Sequence, residues 1–169
     1  MDPALEADLR QRKLLGRGLA CRRLDPGLDV GRDLLLARGP SGLDIAVVDG
    51  MDNLTQCLEV AVTTVLGSDV FNTEFGFDGI NALVEETDRV LISERVRVSI
   101  IRLLGRDVRV RRIVDLKLID GRLDRPSADD DLDPADRLDR WRTVEVQVCF
   151  ETVAGDRALI DLGRVVPSG

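Results

Sequence analysis

At 169 residues the chain is long enough for one domain that buries roughly 70% of its unfolded surface, and too short for two ordinary ones. Its 44% hydrophobic and 33% charged residues exclude a disordered chain, and its net charge of −7 argues against nucleic acid as the main partner. Histidine is absent, which removes the commonest general base and metal ligand, and aromatics at 3% leave a core of Leu, Val and Ile.

Residues 1–13 read as a polar N-terminal arm, helical or frayed, with no apolar stretch of the kind a signal peptide needs. No window approaches a membrane span, so a cytoplasmic location is expected. The segment Leu14-Leu15-Gly16-Arg17-Gly18-Leu19 follows, then turn signals at Asp25-Pro26-Gly27 and Gly39-Pro40-Ser41-Gly42. Ile45–Val48 predicts a strand closed by Asp49-Gly50. Leu54, Cys57, Leu58, Ala61, Val62 and Val65 then repeat at helical spacing, predicting a helix over 53–66 with Asp52 as N-cap and Gly67 at its end.

A second helix is expected over 80–86, and a third from Asp88 or Arg89 to Leu104, stopped by Gly105. Beyond Gly105 the period becomes two. Val108, Val110, Val114, Leu116 and Leu118 alternate with charged residues, with a bulge expected at Arg111-Arg112-Ile113. Val144, Val146, Val148 and Phe150 form one face of a cleaner strand, antiparallel to the first, and Ala158–Leu162 adds a last strand after Gly155-Asp156. Between the first two lies an acidic insertion, 120–140, with eight Asp and four Arg, whereas 89–117 carries nine basic and three acidic residues. This sign asymmetry predicts a basic face on the body of the domain.

Chemistry-bearing constellations are sparse. Glu74, Asp78, Glu85 and Glu86 cluster in sequence, but solvated carboxylates are the favoured reading over a glycosidase pair. Asp129-Asp130-Asp131-Leu132-Asp133 lacks the glycine and final glutamate of a calcium loop. Gly16-Arg17-Gly18 is no dinucleotide fingerprint. Cys21, Cys57 and Cys149 lack zinc spacing and read as reduced thiols. No metal, cofactor or catalytic residue is therefore expected. Arg106, Arg109, Arg111 and Arg112 stand where a helix gives way to a strand, and can cap carbonyls, pair with carboxylates or meet an acidic partner.

Four segments together resemble the gene-25-like baseplate wedge proteins of contractile phage tails, type VI secretion and extracellular contractile injection systems. They are Leu14–Leu19, the strand and helix of Asp44–Leu58, the loop Gly67–Gly76 ending in Glu74-Phe75-Gly76, and Asp107-Val108-Arg109-Val110. The chain departs from the family where Asp107-Val108 replaces Glu-Pro, where Asn72-Thr73 replaces a proline, and in its longer acidic insertion.

The resemblance implies an α+β fold of about three helices packed on a small antiparallel sheet, spanning 14–169 as one domain. It also implies a non-enzymatic role. The chain would join other wedge proteins and the sheath protein in a symmetric, multi-copy assembly, templating the first sheath ring by strand pairing. Nucleic acid and membrane are not expected partners. Carried onto this sequence, the partner-binding residues are Arg109 with Asp107, Arg111 and Arg112, the loop Glu74, Phe75 and Gly76, and the strand positions Val144, Val146 and Val148. A regulatory binding module of the same fold is the alternative, and a peptidoglycan muramidase a more distant one.

Overall fold

The structure, a computed structural model, describes residues 3–23, 32–40, 42–79, 85, 88–120 and 144–165. The expected helix 80–86 and acidic insertion 120–140 lie outside these residues, apart from Glu85 and Asp120. The architecture is α+β, as the sequence predicts, with three helices and nine strands among the described residues. Helix α1 is Pro3–Leu15, α2 is Gly50–Thr63 and α3 is Arg89–Arg106. The strands are β1 (Arg17–Leu19), β2 (Cys21–Arg23), β3 (Arg32–Leu34), β4 (Leu36–Gly39), β5 (Gly42–Ile45), β6 (Val47–Asp49), β7 (Val110–Asp120), β8 (Val144–Thr152) and β9 (Arg157–Val165). The chain divides into two compact units, 1–58 and 59–169.

In the first unit the polar arm is the helix α1, whose last residue, Leu15, is fully buried. The six strands are three bent segments, each interrupted by one residue. They pair as three antiparallel ribbons, β1–β6, β2–β3 and β4–β5. The interrupting residues close a ring of backbone hydrogen bonds: Ala20 N–H donates to Ala46 C=O (2.9 Å), Ala46 N–H to Leu35 C=O (2.8 Å), and Leu35 N–H to Ala20 C=O (2.9 Å). Each segment therefore pairs with one neighbour before the junction and with the other after it. The strand expected at Ile45–Val48 spans this bend at Ala46.

The start of α2 is held to the ring by side chains. Gln56 Nε2 donates to Leu19 C=O (2.8 Å) while its Oε1 accepts from Cys21 N–H (2.8 Å), so one amide satisfies both groups flanking the bend at Ala20. Asn53, only 3% exposed, donates from Nδ2 to the last carbonyl of α1, Leu15 C=O (3.0 Å). Gly18 lies directly against Asn53, and a Cβ there would overlap Asn53 Oδ1.

In the second unit β7, β8 and β9 form an antiparallel sheet with β8 in the centre. Alternation buries Val146, Val148, Phe150 and Ile160 on one face. Val96, Ile100 and Leu104 of α3 are buried as well, and α3 packs against β7. The expected bulge is present as a register shift between Val110 and Arg112, and a second falls between Ile113 and Asp115. Asp88 caps α3 by accepting from Val90 N–H (2.8 Å), and the helix continues through Gly105 to Arg106.

Helix α2 differs from expectation at both ends. It begins at Gly50, so Asp52 sits in its first turn rather than at the N-cap. It stops at Thr63 rather than Leu66. Thr63 and Thr64 turn their hydroxyls back onto helix carbonyls (Oγ1 of Thr64 to Val60 C=O, 2.7 Å), which competes with helix continuation. Thr64 C=O is then taken by Phe77 N–H (2.8 Å), and Gly67 occupies a turn beyond the helix.

Candidate partner-binding site

The Glu74-Phe75-Gly76 loop is folded back on the end of α2. Phe77 N–H donates to Thr64 C=O (2.8 Å), Leu66 N–H donates to Phe77 C=O (3.2 Å), and Val65 and Phe77 form a parallel bridge. Gly76 makes this approach possible. Its φ is +112°, and a Cβ would lie 2.7 Å from Thr64 O and 2.9 Å from Leu66 N and Val65 C. Gly76 is itself buried and Phe75 half-buried, whereas Glu74 is exposed. The preceding turn is closed by Asp69, whose side chain accepts from Phe71 N–H (2.9 Å) and whose carbonyl accepts from Asn72 N–H (3.1 Å). This turn presents Phe71 to solvent at 97% exposure.

The second expected cluster is a turn between α3 and β7. Arg109 donates to Asp107 three times: from its backbone N–H to Oδ1 (2.9 Å), from Nε to Oδ1 (2.9 Å) and from a terminal nitrogen to Oδ2 (2.6 Å). Burial pushes the Asp107 carboxyl up, but the side-chain and backbone hydrogen bonds from Arg109 and its charge outweigh that and leave it below the usual 3.8. Both side chains are largely covered (21% and 17% exposed), so Arg109 acts first as the clamp of this turn and offers little surface to a partner. Arg106, one residue before Asp107, donates to Glu74 C=O (3.1 Å). The structure thus ties the loop Glu74-Phe75-Gly76 to the same helix end that carries Asp107 and Arg109.

Arg111 and Arg112 lie elsewhere, on the sheet. Both reach Glu151 of β8, Arg112 at 2.7 Å and Arg111 at 3.4 Å, with Arg157 opposite Glu151 on β9. The hydrogen bond from Arg112 is the largest influence on Glu151 and holds its carboxyl below the usual 4.5. The arginines themselves stay about two-thirds exposed, so this row is a basic strip organised around one acid. Glu151 was not among the sequence candidates, although its place on the polar face of an alternating strand was visible.

The strand positions Val144, Val146 and Val148 do not fit the docking role expected of them. Val146 and Val148 are fully buried. Strand β8 is hydrogen-bonded on both sides, with Val144 in register with Asp120 of β7 and Val165 of β9. Its backbone has no edge left for a partner. Among the described residues, the outer edges of this sheet belong to β7 and β9.

Of the carboxylates considered for catalysis, Glu85 pairs with Arg95 (3.3 Å), Glu74 is exposed, Asp78 is half-buried, and Glu86 lies outside the described residues. Among the described residues no group of three His, Cys, Asp or Glu side chains is arranged to hold a metal ion, and no helix is long and apolar enough to cross a membrane. Compared with known proteins, the chain matches no protein-family model, and no curated protein matches it.

Proposed function

We propose that the chain is a structural subunit of a phage-tail-like contractile injection system, a wedge-type baseplate protein that acts by assembly and catalyses nothing. It joins other wedge proteins and receives sheath strands, in several copies within a symmetric particle. The observation that carries this reading is the outer edge of β9, an unbulged start of Arg157-Ala158-Leu159-Ile160 to which no described strand pairs, with Leu159 72% exposed. Natural proteins blunt or cover such edges, because a row of unpaired N–H and C=O groups is a template for another strand. The edge of β7 is less suited, being bulged twice and lined by Arg111 and Arg112.

In this reading the strand-pairing role moves from β8 to β9. Arg111 and Arg112 lie on β7, at the opposite edge of the sheet, as a basic strip that meets the other wedge proteins, and Asp107, Arg109 and the Glu74–Gly76 loop hold the turn that leads into that strand. The test is affinity purification of the tagged chain from the cells that make it, with mass spectrometry of the eluate, alongside Leu159→Lys. Sheath and wedge proteins with the native chain, and wedge proteins without sheath for Leu159→Lys, support the reading. A single regulatory partner, or normal sheath recovery with the variant, refutes it.

A further inference from the structure

One row of charges crosses the sheet of the second unit from β7 to the edge of β9. The register sets Arg112 of β7 opposite Glu151 of β8, and Glu151 opposite Arg157 of β9. The shift between Val110 and Arg112 places two residues of β7 beside one of β8, so Arg111 reaches the same acid. Both oxygens of Glu151 are engaged from that side, Oε2 by Arg112 at 2.7 Å and Oε1 by Arg111 at 3.4 Å. Arg157 acts on Glu151 through space, and its guanidinium makes no hydrogen bond or ion pair among the described residues. Three cations thus share one anion, and the cation without a direct bond stands at the open edge.

Side chains alternate along that edge. Arg157 and Leu159 share a face with their register partners Glu151 and Cys149, whereas Ala158 and Ile160 share the core face with Phe150 and Val148. A strand laid on the edge brings its own side chains to about 5 Å from these, near enough for each facing pair to count. Opposite Arg157 a carboxylate continues the alternation of sign and offsets the surplus, whereas a lysine or arginine would be a fourth cation in the row. Opposite Leu159, which is 72% exposed, an aliphatic side chain covers surface that water now wets.

We propose that the strand received by β9 carries aspartate or glutamate opposite Arg157 and an aliphatic residue two positions along, opposite Leu159. Backbone bonds would hold any strand, so Arg157 is the residue that selects among strands. It also fixes register, because a slip of one residue turns the acid onto the core face beside Ala158 and Ile160. The inference rests on the reading of β9 as the edge that pairs with sheath, and adds which strand sequences fit it.

The experiment replaces Leu159 with the photoreactive residue benzoylphenylalanine in the full-length chain, in the cells that make it, and sequences the cross-linked peptide. The expected peptide belongs to another protein and has an acid two residues from the aliphatic residue that takes the cross-link. Arg157→Glu in the same chain lowers the yield about tenfold, since an attractive pair becomes a repulsive one. Changing the partner's acid to lysine then restores the yield to within about twofold, a recovery that an unfolded chain could not show. A foreign strand without that acid, a yield indifferent to Arg157→Glu, or no recovery with the charge swap overturns the charge pairing and leaves strand pairing on β9 standing. Absence of any foreign strand at position 159 overturns both.

Discussion

Replacing Gly76 with alanine tests the loop that closes on α2. Two costs arise together. The backbone at φ +112° lies in a region that side-chain-bearing residues avoid, which costs about 1–3 kcal/mol. The new methyl group would also sit 2.7 Å from Thr64 O and 2.9 Å from Leu66 N. These are main-chain atoms at the end of a helix, with no flexible side chain to swing aside, so overpacking adds about 1–3 kcal/mol. A loss of about 4 kcal/mol is expected, and for a chain of this size it lowers Tm by about 8–16 °C. Urea unfolding followed by far-UV circular dichroism measures the total. Hydrogen exchange at the Phe77 and Leu66 amides, which hold the loop to α2, reports whether the damage is local. Gly105→Ala is the matched control: its Cβ meets nothing within 4 Å in α3, and helix propensity alone gives a gain of about 0.5–1 kcal/mol. A Gly76→Ala loss under about 1 kcal/mol, with both amides still protected, would refute the close-approach argument.

The remaining predictions address other joints. Asn53→Ala removes the donor to Leu15 C=O and opens space beside Gly18, so stability falls by about 1–3 kcal/mol in chemical denaturation; an unchanged midpoint would mean that the latch contributes nothing. Thr152→Val should stabilise by about 1 kcal/mol, because Thr152 Oγ1 is buried and makes no hydrogen bond among the described residues; destabilisation would point to a partner for that hydroxyl. Asp107 and Glu151 have lowered carboxyl pKa values in the folded chain, so their stabilisation is complete above the ordinary 3.8 and 4.5 and is lost as pH falls through the lower folded values. Acid unfolding of Asp107→Asn should therefore be shallower than that of the native chain, and identical acid curves would contradict the sign of the shift.

What the sequence reveals here follows from how local each signal is. Helix α3 was legible because Asp88 caps it through a bond two residues away. The sheet strands were legible because Val146, Val148 and Phe150 alternate, and the alternation states which side faces the core. It does not state which strands lie to either side, so the central place of β8 was hidden until the pairing of β9 was known. Strands of three or four residues broken at Ala20, Leu35 and Ala46 are too short for any period to emerge, and their pairings join distant segments. The expected site was half visible for the same reason. The Asp107–Arg109 turn is a two-residue affair, whereas the bond from Arg106 to Glu74 depends on the fold.

The ring of the first unit also bears on solubility. An apolar sheet face open to water is ordinarily a hazard, because stray chains can add to the strand beside it and propagate. Here no strand of the ring exceeds four residues, every segment bends at its junction residue, and Gln56 occupies both backbone groups flanking one bend. A straight strand laid alongside would find a handful of bonds before losing register. The first unit can thus display leucines broadly while its described strands offer no track along which a fibril could grow.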